Sequence, residues 1–166
     1  MTKQSQPAGF HPIRRDQRLL ETAMDSYKTK GKLPEPTVCP DCGAVFHAGH
    51  WQWLSKPKDA HQACCPACHR IRDRFPAGYV SLAGEFFAAH EQEILQLIQH
   101  RETREKAARP LQRIMAIEKT AHGTSVTTTD IHLARGIGEA LHHAYQGELE
   151  LHYNPDRNLL RVSWSR

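Results

Sequence analysis

The sequence predicts an α+β fold in three parts: a basic N-terminal arm, a cysteine-bearing module and a mixed helix–strand domain. Three observations carry this. All five cysteines lie between residues 39 and 68, in a stretch with no long periodic segment. From residue 78 onward, short runs of period two alternate with longer runs of helical period. The first 36 residues carry many charges and few large apolar groups.

The arm, residues 1–36, holds seven basic side chains (Lys3, Arg14, Arg15, Arg18, Lys28, Lys30 and Lys32) against Asp16, Glu21, Asp25 and Glu35. Residues 14–28 have Leu20, Ala23, Met24 and Tyr27 at helical spacing, which predicts a helix conditional on a partner. The prolines of LPEP at 33–36 end it, because proline disfavours helix at and just before its own position. No apolar run follows Lys3, and no stretch approaches the roughly 18 apolar residues of a membrane span. A cytoplasmic protein without a membrane partner is the expectation.

The module, residues 37–77, repeats a CPxC pattern: Cys39-Pro-Asp-Cys42-Gly and Cys65-Pro-Ala-Cys68-His, with 22 residues between the pairs. Two cysteines two residues apart can both address one ion from a tight turn. Two such knuckles complete the tetrahedron that Zn²⁺ prefers. The glycine after the first knuckle permits a sharp turn that aims amides at sulfur. Cys64 competes with Cys65 by position, but only the 65/68 pair repeats CPxC. His47, His50, His61 and His69 are near enough in sequence to replace a cysteine, and four cysteines make them unnecessary. Four thiolates leave no open coordination position, so the site is expected to be structural.

The domain, residues 78–166, begins with GYVSLAG as a strand. EFFAAHEQEILQLIQHR follows as a helix with Phe87, His90, Ile94, Leu97 and Ile98 on one face. RIMAIEK and TSVTTT read as strands joined by a short turn at AHG. Asp130 or Thr129 caps a helix over 131–145, whose Ile131, Ala134, Ile137, Gly138 and Leu141 line one side. GELELHY and LLRVSW then alternate around the turn NPDRN. Strand, helix, strand, strand, helix, strand, strand is the order of a ferredoxin-like βαββαβ(β) sandwich. Glu148, Glu150, His152, Arg161 and Ser163 are left on a wet sheet face.

A net charge of +4 and a pI near 8.9 are compatible with a polyanionic partner without requiring one. Arg70, Arg72 and Arg74 alternate after the second knuckle, so an extended chain places them on one side beside Trp51 and Trp53. Basic groups beside aromatics suit phosphate contact and base stacking, while a solvated arginine row and two core-covering tryptophans are the competing account. The basic arm would add sequence-independent affinity through counterion release. GxxxxGK[ST], HExxH and GxSxG are all absent, TTTD at 127–130 is a strand end and helix cap, and His142 and His143 are helix-surface residues. No enzyme class or small-molecule substrate gains support.

The succession of CPDCGAVF, GHWQW, CPACHR, YVSL, a long helix containing EQEIL and a closing βαββ unit resembles the zinc-binding part of the large-ribosomal-subunit nuclear-export adaptor family. It is also similar to short bacterial proteins of unassigned role with the same layout. The resemblance spans roughly residues 37–164. It implies zinc ligation by Cys39, Cys42, Cys65 and Cys68 and a ribosome or structured-RNA partner. The family's further domains and export signals have no counterpart here, so export is not among the expectations. The combined expectation is a non-enzymatic zinc protein bound to RNA, with a protein–protein adaptor as the alternative.

Overall fold

Alternation along the last two strands decides which side of the sheet is covered. Leu151, Tyr153, Leu160, Val162 and Trp164 are buried, while Glu148, Glu150, Arg161 and Ser163 between them are exposed. The computed structural model describes residues 8–19, 25–28 and 31–166. The first half contains strands β1 (His11–Ile13), β2 (Thr37–Val38), β3 (Val45–His47), β4 (His50–Gln52) and β5 (His61–Gln62), then helix α1 (Pro66–Asp73). The second half runs β6 (Gly78–Ala83), α2 (Glu85–Ala89), α3 (Glu91–Ala108), β7 (Ile114–Thr120), β8 (Gly123–Thr128), α4 (Ile131–Tyr145), β9 (Glu148–Asn154) and β10 (Leu159–Ser165). No described helix is long and apolar enough to cross a membrane.

The six-stranded sheet has the order β1-β9-β10-β6-β8-β7. β6, α3, β7 and β8 make a split βαβ unit, with β8 antiparallel to both neighbours. A ferredoxin-like order would set the strand after α4 beside β6. Instead β10 takes that place, parallel to β6, and β9 lies outside it. The apolar faces of both hairpin strands are still buried, because the helices cover one side of the sheet whichever strand is inner.

Trp164, Leu82, Ile94, Ile98, Ile131, Leu133, Ile137 and Leu141 form the fully buried centre between sheet and helices. Asp130 caps α4 by accepting the amides of His132 at 2.7 Å and Leu133 at 3.2 Å. α4 lies so close to β6 that a Cβ on Gly78 would stand 2.5 Å from that of Ala134. The opposite sheet face carries Ser81, Ser125, Ser163 and Thr127 between Glu118, Glu148 and Glu150, with Arg161 as its central cation.

One expectation about the helices needs correction. The helix expected over 85–101 is two helices, broken at His90, whose ring stacks on Phe86 and whose Nδ1 lies 2.9 Å from the Phe86 carbonyl. α3 then runs on to Ala108 because residues 102–108, Thr103 apart, are strong helix formers, and it stops before Pro110. The helix over 14–28 is expected only with a partner; here residues 14–19 and 25–28 are turn and coil, and 20–24 lie outside the described residues. The arm's β1 strand adds to the outer edge of β9.

Ile137→Ala is expected to destabilise the fold by about 2–5 kcal/mol through the cavity it leaves. Ser163→Ala on the exposed face should change stability by less than about 0.5 kcal/mol. Denaturant unfolding of both variants checks the assignment of the two faces.

Candidate metal centre

Cys39 follows β2, and the chain folds back at once. The Cys39 amide donates to the Ala44 carbonyl at 2.8 Å and the Gly43 amide to the Cys39 carbonyl at 2.9 Å. Gly43, at φ +80°, supplies the left-handed residue this turn requires. The second pair rides on α1. Cys65 is its N-cap, Pro66 opens the first turn, and the Cys68 amide donates to the Cys65 sulfur at 3.4 Å. The Cys65 amide donates in turn to the Cys39 sulfur at 3.3 Å.

These two turns bring the four Sγ atoms of Cys39, Cys42, Cys65 and Cys68 within 4.8 Å of one another. No pair is a disulfide. Cys42 and Cys65 sulfurs are 3.8 Å apart, which is about the edge of a tetrahedron with metal–sulfur bonds near 2.3 Å. The set therefore fits a thiophilic, four-coordinate ion such as a structural zinc. Such an ion would supply cross-linking of the two turns and leave no position for a substrate.

The module's apolar interior is small. Its core consists of Ala44, Trp51 and Ala67 together with Cys39, Cys65 and Cys68. Burial works against charge on Cys39, but the amides of Cys65, Cys42 and Asp41 outweigh it and bring the thiol down to about 7. Burial raises Cys65 and Cys68, and the neighbouring thiols Cys42, Cys68 and Cys39 push Cys65 further. Burial thus opposes the thiolate at Cys65 and Cys68, while the surrounding amides favour it at Cys39. Cys64 stays outside the cluster, with its sulfur 3.7 Å from Asp41 and its thiol raised by burial to about 11.

Sequence reasoning missed the residue that completes the centre. Arg113, 6% exposed, donates from Nη1 to Cys68 at 3.1 Å and from Nη2 to Cys42 at 3.1 Å and Cys65 at 3.6 Å. Its Nε donates to the Pro110 carbonyl at 2.7 Å, and its backbone is tied to Thr129 on both sides. Burial opposes its charge, yet hydrogen bonds to Cys68 and Cys42 outweigh burial and hold it protonated. Arg113 lies 45 residues beyond Cys68 in sequence, just before β7, so no spacing rule connects the two.

The expected arginine row does not form. Because Cys65 caps a helix, residues two apart lie roughly 200° apart around its axis, not on one side. Arg70 turns inward at 2% exposure, pairs with Asp25 at 2.8 Å and lies 4.4 Å over the Tyr27 ring, which pins part of the arm to α1. Arg72 points outward and bonds Asp41 of the first knuckle at 2.6 Å, and Arg74 is the exposed left-handed cap. Trp51 is buried against Phe46. Trp53 is partly exposed and donates to the Lys106 carbonyl at 2.7 Å, with Arg113 5.9 Å from its ring. Arg14, Arg15, Arg18, Lys28 and Lys32 are exposed, and Lys30 lies outside the described residues.

In comparison with known proteins, the chain matches no family model, no curated protein and no solved structure.

Cys68→Ser is expected to abolish stoichiometric metal binding. Arg113→Met, which keeps the length but removes the donors, should weaken it about 10- to 100-fold, with Arg113→Lys in between. Competition with a chromophoric chelator measures all three.

Proposed function

We propose that this is a non-enzymatic zinc protein that binds RNA in a ribosomal setting, with the metal module as scaffold and a basic cleft beside it as the contact surface. The carrying observation is the company of that cleft. Where the module meets α3 and α4, Lys28, Arg101, Arg109 and Arg135 line one cleft and outnumber its carboxylates Glu105, Asp130 and Glu139 by one, and the Arg135 guanidinium also donates to the Arg15 carbonyl of the arm. The open sheet face, with its rows of glutamate, offers a polyanion no such welcome. Clustered Lys and Arg neutralise phosphates and release counterions, whatever the sequence of the strand. The resemblance to ribosomal-subunit adaptors favours a ribosomal RNA partner, and the closed thiolate set favours a scaffold over a reaction centre.

A protein-adaptor reading has its own support, because Phe75 is 50% and Ile71 40% exposed on the outer side of the module. Such side chains are what a protein partner would cover.

Cosedimentation of the zinc-loaded chain with ribosomes or extracted RNA across a salt series separates the readings. Affinity should fall steeply with salt. Lys28→Ala with Arg109→Ala should lower the slope of log affinity against log salt by about 2. Chelation of the metal should abolish retention. Binding indifferent to salt, nuclease and these substitutions, but lost in Phe75→Ser, would sink the RNA reading in favour of the adaptor.

A further inference from the structure

The segment that leads from α3 into β7, residues 109–113, belongs to the domain in sequence and reaches into the metal module in space. Leu111 packs against the module's core of cysteines, Ala44, Trp51 and Ala67. Two residues on, Arg113 donates to the sulfurs of Cys68, Cys42 and Cys65. The same segment is lashed to the domain. The Arg113 Nε holds the Pro110 carbonyl at 2.7 Å, the Thr129 hydroxyl donates to the Leu111 carbonyl at 2.6 Å, and the Thr129 amide donates to the Arg113 carbonyl at 2.9 Å. Thr129 immediately precedes Asp130, the cap of α4, so the segment links the cysteines to the end of one helix and the start of the other.

Elsewhere the junction is thin. Among the described elements, no strand or helix of the module packs broadly against one of the domain. The Trp53 indole clasps the Lys106 carbonyl at 2.7 Å, and the sequence gives the reason: Pro110 has no amide to return to the carbonyl four residues before it, so the indole supplies the missing donor. That bond is indifferent to the ion, and the Arg113 bonds are not. A bound ion holds the sulfurs of both knuckles on one centre as charged acceptors, which is what a guanidinium fork needs to meet three of them at once. When the ion leaves, the knuckles lose their common centre.

We infer that residues 109–113 are a metal-operated strap: an ion on Cys39, Cys42, Cys65 and Cys68 seats Arg113, and the seated strap sets the place of Arg109 on the basic cleft. Arg109, Pro110, Leu111 and Gln112 all line that cleft, and His50 and Trp51 line it from the module. Metal occupancy thereby regulates the contact surface through one contiguous set of bonds. The regulatory consequence rests on the RNA reading, whereas the strap does not. Coupling of this kind is reciprocal, so a partner on the cleft tightens the metal by the factor that the metal tightens the partner.

Hydrogen exchange on the full chain reads the strap directly. The amides of Arg109, Gln112 and Thr129, which donate to the carbonyls of Glu105, Arg109 and Arg113, should be protected in the zinc-loaded protein. After chelation they should exchange about tenfold or more faster, while Ile137 in α4 and Val162 in β10 keep their protection. Arg113→Met at saturating zinc should leave the knuckle amides of Gly43 and Cys68 protected yet release the strap as chelation does, which separates release of the strap from melting of the module. Arg113→Lys, which keeps the charge without the fork, should lie between and can be read even where the methionine variant does not fold. Strap protection that ignores chelation, or that stays at the wild-type level in zinc-saturated Arg113→Met, overturns the inference. Extracted ribosomal RNA supplies the second readout. Zinc should tighten its binding about tenfold in the wild type but by about twofold or less in Arg113→Met, and the RNA should tighten zinc by the same factors. Equal tightening in both proteins overturns the regulation of the cleft. A strap that answers to zinc in a chain that retains no RNA would sink the RNA reading and leave the strap standing.

Discussion

The contact between one guanidinium and three cysteine sulfurs is the constraint on which the rest of this structure depends. Four thiolates around a divalent ion carry a formal charge of about −2, and a buried dianion needs compensation close by. Arg113 supplies a full positive charge at 3.1 Å from two of the sulfurs, and the N-terminus of α1 adds its dipole. Because Arg113 is anchored to Pro110 and Thr129, charge compensation and the docking of the two parts are the same interaction. The metal module is fastened to the domain through its own electrostatic requirement.

That fastening has structural consequences in both directions. The module's thin core, half of it cysteine, gains neighbours such as Leu111 from the segment that leads into β7. The domain gains a wall: Trp51 and His50 of β4 line the cleft together with residues of α3 and α4. Trp53, bonded to the Lys106 carbonyl at the end of α3, closes the junction from the other side. Arg70 and Asp25 make a second clasp, which draws the arm onto α1. Both clasps use arginine, whose planar fork can meet several acceptors at once where an ammonium could not.

Much of the fold was legible because its signals are local. Ile131, Ala134, Ile137, Gly138 and Leu141 announce the buried face of α4 by spacing alone, and all five are buried. Asp130 reads as a cap because an aspartate before an apolar run accepts the first free amides. The cysteine set was legible for the same reason, since each knuckle is a four-residue turn. The arginine row was misread because an extended chain was assumed where Cys65-Pro66 starts a helix, and that turned Arg70 inward. The break at His90 was missed because periodicity runs through it unchanged; only the stacking of its ring on Phe86 marks the interruption. The reversed seats of β9 and β10 could not be read either, since both strands alternate equally well.

The sequence by itself determined the two cysteine pairs, the strands and the α4 helix of residues 78–166 and the faces they bury, because each depends on residues within a turn or two of one another. Only the tertiary structure decided that Arg113 completes the cysteine cluster and that Arg70 is an internal clasp. Those pairings join residues some 45 positions apart or on separate elements. Their cause is the requirement that buried charge find a partner, which acts through space and leaves no periodic trace along the chain.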